Sequence, residues 1–208
     1  MDAYLTARER VVAAGYAEEI DWQDQLSLDK VTESDFLREA AWVILSSGMR
    51  ESVIRRCFAS ISRAFLSWYS AEEIVRRRSA CVRSALQVFR HTAKIEAIGD
   101  VAAAVARDGF PALRERMRLK GVEELQLLPF IGPVTQFHLA KNIGLDVVKP
   151  DRHLVRIAHA AGFAEPESMC RLVADATGDR IATVDIVFWR FATLQPDYVK
   201  VFTATALS

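Results

Sequence analysis

Apolar residues along this chain recur at three- and four-residue spacings and almost nowhere alternate with polar ones. The run Phe36, Ala40, Val43, Ile44 follows Thr32-Glu33-Ser34-Asp35, a helix cap with acids in its first turn. Ser70-Ala71-Glu72-Glu73 reads as a capping box, with Ile74 opening the apolar face. Pro111 suits a first helical turn ahead of Leu113 and Met117, and Glu165-Pro166-Glu167 begins another helix. Ile181 to Ala192 carries the pattern of a buried helix. Strand signals, alternation bounded by Asn-Gly or Gly-Gly turns, are missing. The pattern predicts an all-α fold of about ten short helices joined by connections of roughly two to six residues.

Prolines 129, 133 and 150 mark a distinct stretch. Val122 to Leu128 predicts a short helix stopped by Pro129, and Pro133 starts a second one, Val134 to Ile143, that Gly144 ends. A bridge from Leu145 to Lys149 leads to Pro150-Asp151, and a third helix begins at Arg152. A hairpin that enters a helix N-terminus through glycine exposes backbone N–H groups lacking intrahelical acceptors. Those donors and the helix dipole form an anion site without any cationic side chain. Thr135, His138 and Lys141 lie on the first turns of the second helix and could add side-chain donors to a phosphate run. The same punctuation also fits a plain helical corner.

Composition narrows the classes. The chain has 208 residues and a formal net charge of zero, with 51% hydrophobic and 26% charged residues, as in soluble globular proteins. No apolar run reaches the roughly 20 residues of a membrane span. The N-terminal segment lacks the basic start and apolar stretch of a signal peptide. Cys57, Cys81 and Cys170 are scattered, so neither a disulfide framework nor a cysteine metal or iron–sulfur site is expected, and a reducing cytoplasm is. The neutral total hides a basic middle: residues 41–121 hold fifteen bases against seven acids, whereas residues 1–40 hold four against ten. Such a surplus serves a nucleic-acid partner or a solvated set of helix faces equally well.

The sequence Leu128-Pro129-Phe130-Ile131-Gly132-Pro133-Val134-Thr135, then Leu139-Ala140, then Pro150-Asp151-Arg152-His153 and Arg156, resembles the helix-hairpin-helix superfamily of DNA glycosylases. The resemblance covers about thirty residues strongly and the remaining chain loosely, including Trp42 to Gly48. It implies two helical lobes with an active-site cleft between them. One lobe is expected over residues 32–143, ending in the hairpin motif at 122–143, and the other over 1–31 plus 144–208. Asp151 takes the position of the catalytic aspartate. Phe130, Gly132, Val134, Thr135, His138 and Lys141 are the implied DNA-backbone contacts. The implied partner is double-stranded DNA carrying a damaged or modified base, bound by a monomer with no metal or other cofactor.

Three positions depart from the family pattern. Phe130 replaces the first hairpin glycine, where a bulky residue either avoids the left-handed region or bears strain. Val134 stands where bifunctional members carry a lysine nucleophile, which implies base release without strand cleavage. Trp42 stands near the glutamate position of adenine–mismatch glycosylases, against that subfamily. Lys149, two residues from Asp151, is the alternative amine nucleophile. Asp151 after proline and before an apolar helix is equally a helix N-cap.

For a flipped base, Asp185 and Trp189 share a helix face and match the polar reader and stacking aromatic of 8-oxoguanine glycosylases, with Trp42 as a further pocket residue. An ionised Asp185 accepts only, which favours a base with an exocyclic amino group. Met49 and Arg50 are candidates to wedge into the gap left in the duplex, whereas Trp22, Trp68 and Tyr69 are expected to pack. The substrate alternatives are an oxidised or alkylated lesion and a modified cytosine of phage DNA. A non-catalytic hairpin DNA-binding module is the competing class.

Overall fold

The computed structural model describes residues 2–202, and among them every regular element is helical. In chain order the α-helices are α1 (Asp2–Ala13), α2 (Ala17–Gln25), α3 (Glu33–Ser46), α4 (Glu51–Ala64), α5 (Ala71–Arg76), α6 (Arg78–Val88) and α7 (Thr92–Asp108). They continue with α8 (Phe110–Lys120), α9 (Val122–Gln126), α10 (Thr135–Asn142), α11 (Arg152–Ala160), α12 (Pro166–Thr177) and α13 (Ile181–Leu194). Thirteen are described against about ten expected, and one of the extra divisions falls in the basic stretch at Arg77, whose φ of −107° and ψ of 16° separate α5 from α6.

The chain forms two compact units, Ser27–Ile143 and the segments on either side of it, up to Leu26 and from Gly144. The expected boundary after residue 31 thus moves to Leu26. The reason is local: the Arg114 guanidinium donates to the Asp29 and Val31 carbonyls, and Arg118 pairs with the Asp29 carboxylate, which fastens this stretch to α8.

In the Ser27–Ile143 unit, Thr32 accepts the Asp35 N–H at 3.1 Å while the Asp35 carboxylate accepts the Thr32 N–H at 3.2 Å, a complete capping box. At Ser70 only half of that device forms. The hydroxyl accepts the Glu73 N–H, but the Glu73 carboxylate turns to Arg76 and Arg77. The core gathers Phe36, Ile44, Leu45, Ile54, Ile61, Phe65, Ile74 and Ile95, each fully buried and each worth about 1.5–3 kcal/mol in removal from water. Helix α3 lies against α4, α7 and α10, so the hairpin helix and the basic helices share one support. Trp68 packs as expected, stacked on Phe65 at 5.5 Å, whereas Tyr69 is 80% exposed and Trp22 of the other unit is 43% exposed. The turn that carries them is strained: Leu66, Ser67 and Trp68 all have positive φ, near 57°, 51° and 64°.

In the other unit, α13 is predominantly apolar and is packed by α1, α2, α11 and α12. Phe188 meets Tyr4 edge-on at 5.5 Å and Phe202 at 5.1 Å. The buried Tyr4 hydroxyl donates to Asp179 at 2.5 Å, and Arg8 donates to the same carboxylate at 2.6 Å. Among the described residues no helix is long and apolar enough to cross a membrane.

Candidate functional site

The hairpin between α9 and α10 is built by its own backbone. The Ile131 N–H donates to the Leu128 carbonyl at 3.1 Å, and the Gln136 N–H donates to the Gly132 carbonyl at 3.0 Å. Thr135 Oγ1 accepts the Gly132 N–H at 2.7 Å, so this threonine closes the hairpin and takes up an amide that the sequence suggested for phosphate. The N–H groups of Phe130, Val134 and Thr135 have no acceptor among the described residues, so these donors at the start of α10 are open. Phe130 adopts φ 65°, the left-handed region that glycine would occupy without strain, and its ring is 43% exposed. Lys141 is only 5% exposed, an unusual burial for a lysine on the second hairpin helix. His138 is half-buried and Val134 exposed. Asn142, at the end of α10, donates to Glu39 of α3 at 2.9 Å; burial raises the pKa of that carboxyl, against the bonds from Arg38 and Asn142.

The turn from α3 to α4 holds the two wedge candidates. Gly48 takes φ 68°, the Met49 N–H closes onto the Ser46 carbonyl at 3.0 Å, and Met49 and Arg50 are both exposed. Sequence reasoning missed what fixes this turn. Lys94 of α7 is 3% exposed, and its ammonium donates to the carbonyls of Ile44, Leu45 and Ser47 at 2.7, 2.8 and 2.5 Å. These are the orphan acceptors at the C-terminal end of α3, where a cation is most favourable. Burial lowers the amine's pKa from the ordinary lysine value. The Phe130 ring lies 5.7 Å from the same nitrogen. One buried lysine therefore connects the Ser47–Arg50 turn to the hairpin. A lysine four residues after an Arg90-His91 helix start gives no hint of this in sequence.

Trp42 is partly buried and has ring contacts within its own unit. Phe58 meets it edge-on at 5.1 Å and the Arg55 guanidinium covers its ring at 5.6 Å. A hollow of about 260 Å³ elsewhere in the same unit is lined in part by Arg107, Asp108, Arg116, Glu124 and Leu128, and its charges pair with one another.

In the other unit, Asp151 caps α11: its Oδ1 accepts the N–H of His153 at 2.8 Å and of Leu154 at 3.1 Å. Its Oδ2 has no partner among the described contacts, and the residue is half-buried. The bridge leading to it is stapled along the start of α13 at three points. The Arg180 guanidinium donates to the Gly144 carbonyl at 3.0 Å, Asp146 accepts the Ala182 N–H at 2.9 Å, and Asp185 accepts the Lys149 N–H at 2.7 Å.

Comparison with protein-family models, curated proteins and solved structures finds no match for the chain.

Asp185 is 1% exposed, and one of its carboxylate oxygens holds the backbone beside Asp151. Trp189 is also occupied on one face. Arg190 lies 4.7 Å over its ring and 4.2 Å over the Tyr16 ring, while donating to both oxygens of Glu19 at 2.6 Å. The acid–aromatic pair expected on one helix face thus splits into two structural roles.

Around Asp151 the charge is positive. Lys149, Arg152 and Arg156 all act on His153, whose pKa is lowered first by burial and further by these cations, against the pull of Asp151. The His153 Nδ1 lies 3.0 Å from the Tyr198 hydroxyl, within hydrogen-bond distance. Tyr198 is buried in the 3-10 turn Tyr198–Phe202, so the C-terminal turn anchors the helix that Asp151 heads. Among the described residues no group of three or more His, Cys, Asp or Glu is arranged to hold a metal.

Proposed function

We propose that this protein is a monofunctional DNA glycosylase that hydrolyses the N-glycosidic bond of a flipped, damaged or modified base. The observation that carries the reading is Asp151: one carboxylate oxygen fixes the start of α11 and the other is uncommitted, amid an excess of cationic side chains. In the reaction, the bond from the base nitrogen to the anomeric carbon stretches and positive charge develops on the sugar. The free Asp151 oxygen stabilises that charge and takes the proton of the attacking water, while the departing base accepts a proton in turn. Water oxygen ends on the sugar, leaving an abasic site. The open amides of Phe130, Val134 and Thr135 support a phosphate contact that orients a duplex without reading its sequence.

Val134, in the hairpin position where bifunctional family members carry lysine, supports base release without a Schiff base. Lys149 is the amine to test against that, because its backbone is pinned two residues before Asp151. The substrate class is an oxidised or alkylated lesion or a modified cytosine.

Duplexes carrying each base class, incubated with the protein and then treated with alkali, test the reading. Strand breaks that appear only after alkali and vanish in Asp151→Asn, with duplex binding retained, are the expected result. A borohydride-trapped DNA adduct that disappears in Lys149→Ala would replace hydrolysis with lyase chemistry. A second reading, a non-catalytic duplex-binding module, is favoured by the two N–H bonds that Asp151 accepts as a cap; duplex binding with no abasic product on any substrate selects it.

A further inference from the structure

We infer that the exposed faces of α4 and α6 form a second phosphate-binding surface for double-stranded DNA, separate from the hairpin. Between Arg50 and Arg90 the chain carries nine arginines against three acids, Glu51, Glu72 and Glu73. Those acids are local partners: Glu51 pairs with Arg55, and Glu73 with Arg76 and Arg77. Arg78 is held by Glu96 and Asp100. Arg56, Arg63, Arg83 and Arg90 are exposed and have no carboxylate partner among the described residues.

The helices place these arginines by their buried sides. Helix α4 buries Ile54 and Ile61 and turns Ser52, Arg55, Arg56, Ala59 and Arg63 outward, the three- and four-residue spacing of one face. Helix α6 packs against α4, buries Cys81, Val82 and Ala85, and exposes Ala80, Arg83, Ser84 and Gln87. Between the arginines stand small or uncharged residues, so a backbone can approach closely and nothing repels an anion. Arg56 and Arg63 are two helical turns apart, about 10.5 Å, which matches roughly three base pairs at ~3.4 Å each. Guanidinium groups suit phosphate oxygens by their planar fork of donors.

The face is continuous with the hairpin through Lys94. That ammonium holds the Ser47 carbonyl at 2.5 Å and lies 5.7 Å from the Phe130 ring, so the turn that starts α4 sits beside the hairpin. A duplex held at the hairpin therefore has the turn carrying Arg50, and the start of α4, close by. The inference rests on the DNA partner of the proposed function but not on its chemistry.

Fluorescence anisotropy of an undamaged, labelled duplex across a salt series tests it, using the full chain. The variant Arg56→Gln/Arg63→Gln/Arg83→Gln/Arg90→Gln keeps helix-compatible side chains, and Arg76→Gln/Arg77→Gln serves as the paired-arginine control. Each lost phosphate contact lowers the slope of log affinity against log salt by about 0.9, so the quadruple variant is expected to lose about 3.6 units of slope. Affinity should fall at least about tenfold near 100 mM salt, equally for damaged and undamaged duplexes, while the control stays near wild type. An unchanged slope in the quadruple variant, with wild type binding duplex, overturns the inference alone. Tighter, arginine-dependent binding to single-stranded RNA overturns it in favour of that partner. No duplex binding by wild type overturns this inference and the DNA reading together. Loss of slope with no base release from wild type leaves the face intact and removes only the glycosylase reading.

Discussion

The Asp185 carboxylate accepts the Lys149 backbone N–H at 2.7 Å across thirty-six residues of sequence, and it does so from a position that is 1% exposed. A buried carboxylate holds the backbone two residues before Asp151, the residue that caps α11. Asp185 is thus a positioning residue for the proposed chemistry. Asp185→Ala leaves the Lys149 N–H unpaired and should cost about 1–3 kcal/mol of stability. Single-turnover base release should slow with little change in duplex affinity, and Asp185→Asn, which still accepts, should recover part of the rate. Equal loss in both variants, tracking only the fall in melting temperature, would reduce Asp185 to a packing role.

Lys94 satisfies three carbonyls at the end of α3 with its three ammonium hydrogens. Lys94→Met has similar length but no donor, so those acceptors lose their partner in a buried site. Destabilisation on the order of 3 kcal/mol is expected, read by urea unfolding. Hydrogen exchange should speed up in the Ser47–Arg50 turn before it does in α7. A loss under about 0.5 kcal/mol, the usual range of surface changes, would contradict the triple bond.

Phe130 occupies a left-handed conformation at φ 65° with an exposed ring. Phe130→Gly relieves a penalty of about 1–2 kcal/mol and gives up the ring contact with Lys94, worth about 0.5–1 kcal/mol. The net effect should be neutral to slightly stabilising, and duplex affinity should be unchanged or higher because the amide is the donor. A tenfold loss of affinity in this variant would show that the ring itself touches DNA.

His153 gives the molecule an acid limit. Burial leads the causes that hold its pKa below the ordinary 6.5, so the folded chain binds fewer protons there than the unfolded chain. Stability that is complete above about pH 6.5 is therefore lost as pH falls through the folded-state value. Melting temperature measured from about pH 5 to 7.5 should rise with pH and level off. His153→Gln should flatten that rise, and an unaltered profile would assign the acid sensitivity elsewhere.

The helices were legible because their signals act within one or two turns. The Thr32 cap with Asp35, Pro166 at the start of α12, and the largely apolar run of α13 each concern residues that are near neighbours in sequence. Asp151 is such a case as well: a short acid after proline finds two amide donors within three residues, so its place at the head of α11 follows from the sequence by itself. The same locality exposed the hairpin's punctuation at Pro129, Gly132 and Pro133.

Polar side chains that are buried obeyed a different rule. Lys94 reaches a carbonyl fifty residues away, Tyr4 reaches Asp179 across 175, and Asp185 was drawn inward to Lys149 although its spacing from Trp189 suggested a shared open face. Lys141 has the look of a surface cation and is buried. Periodicity tells which face of a helix turns inward. Which distant donor or acceptor waits there depends on how the helices pack, because a buried polar group is stable only where tertiary structure supplies its partner. The sequence alone determined the helices, the hairpin and the capping place of Asp151; only packing decided which acids and amines support that place and which remain free to touch a ligand.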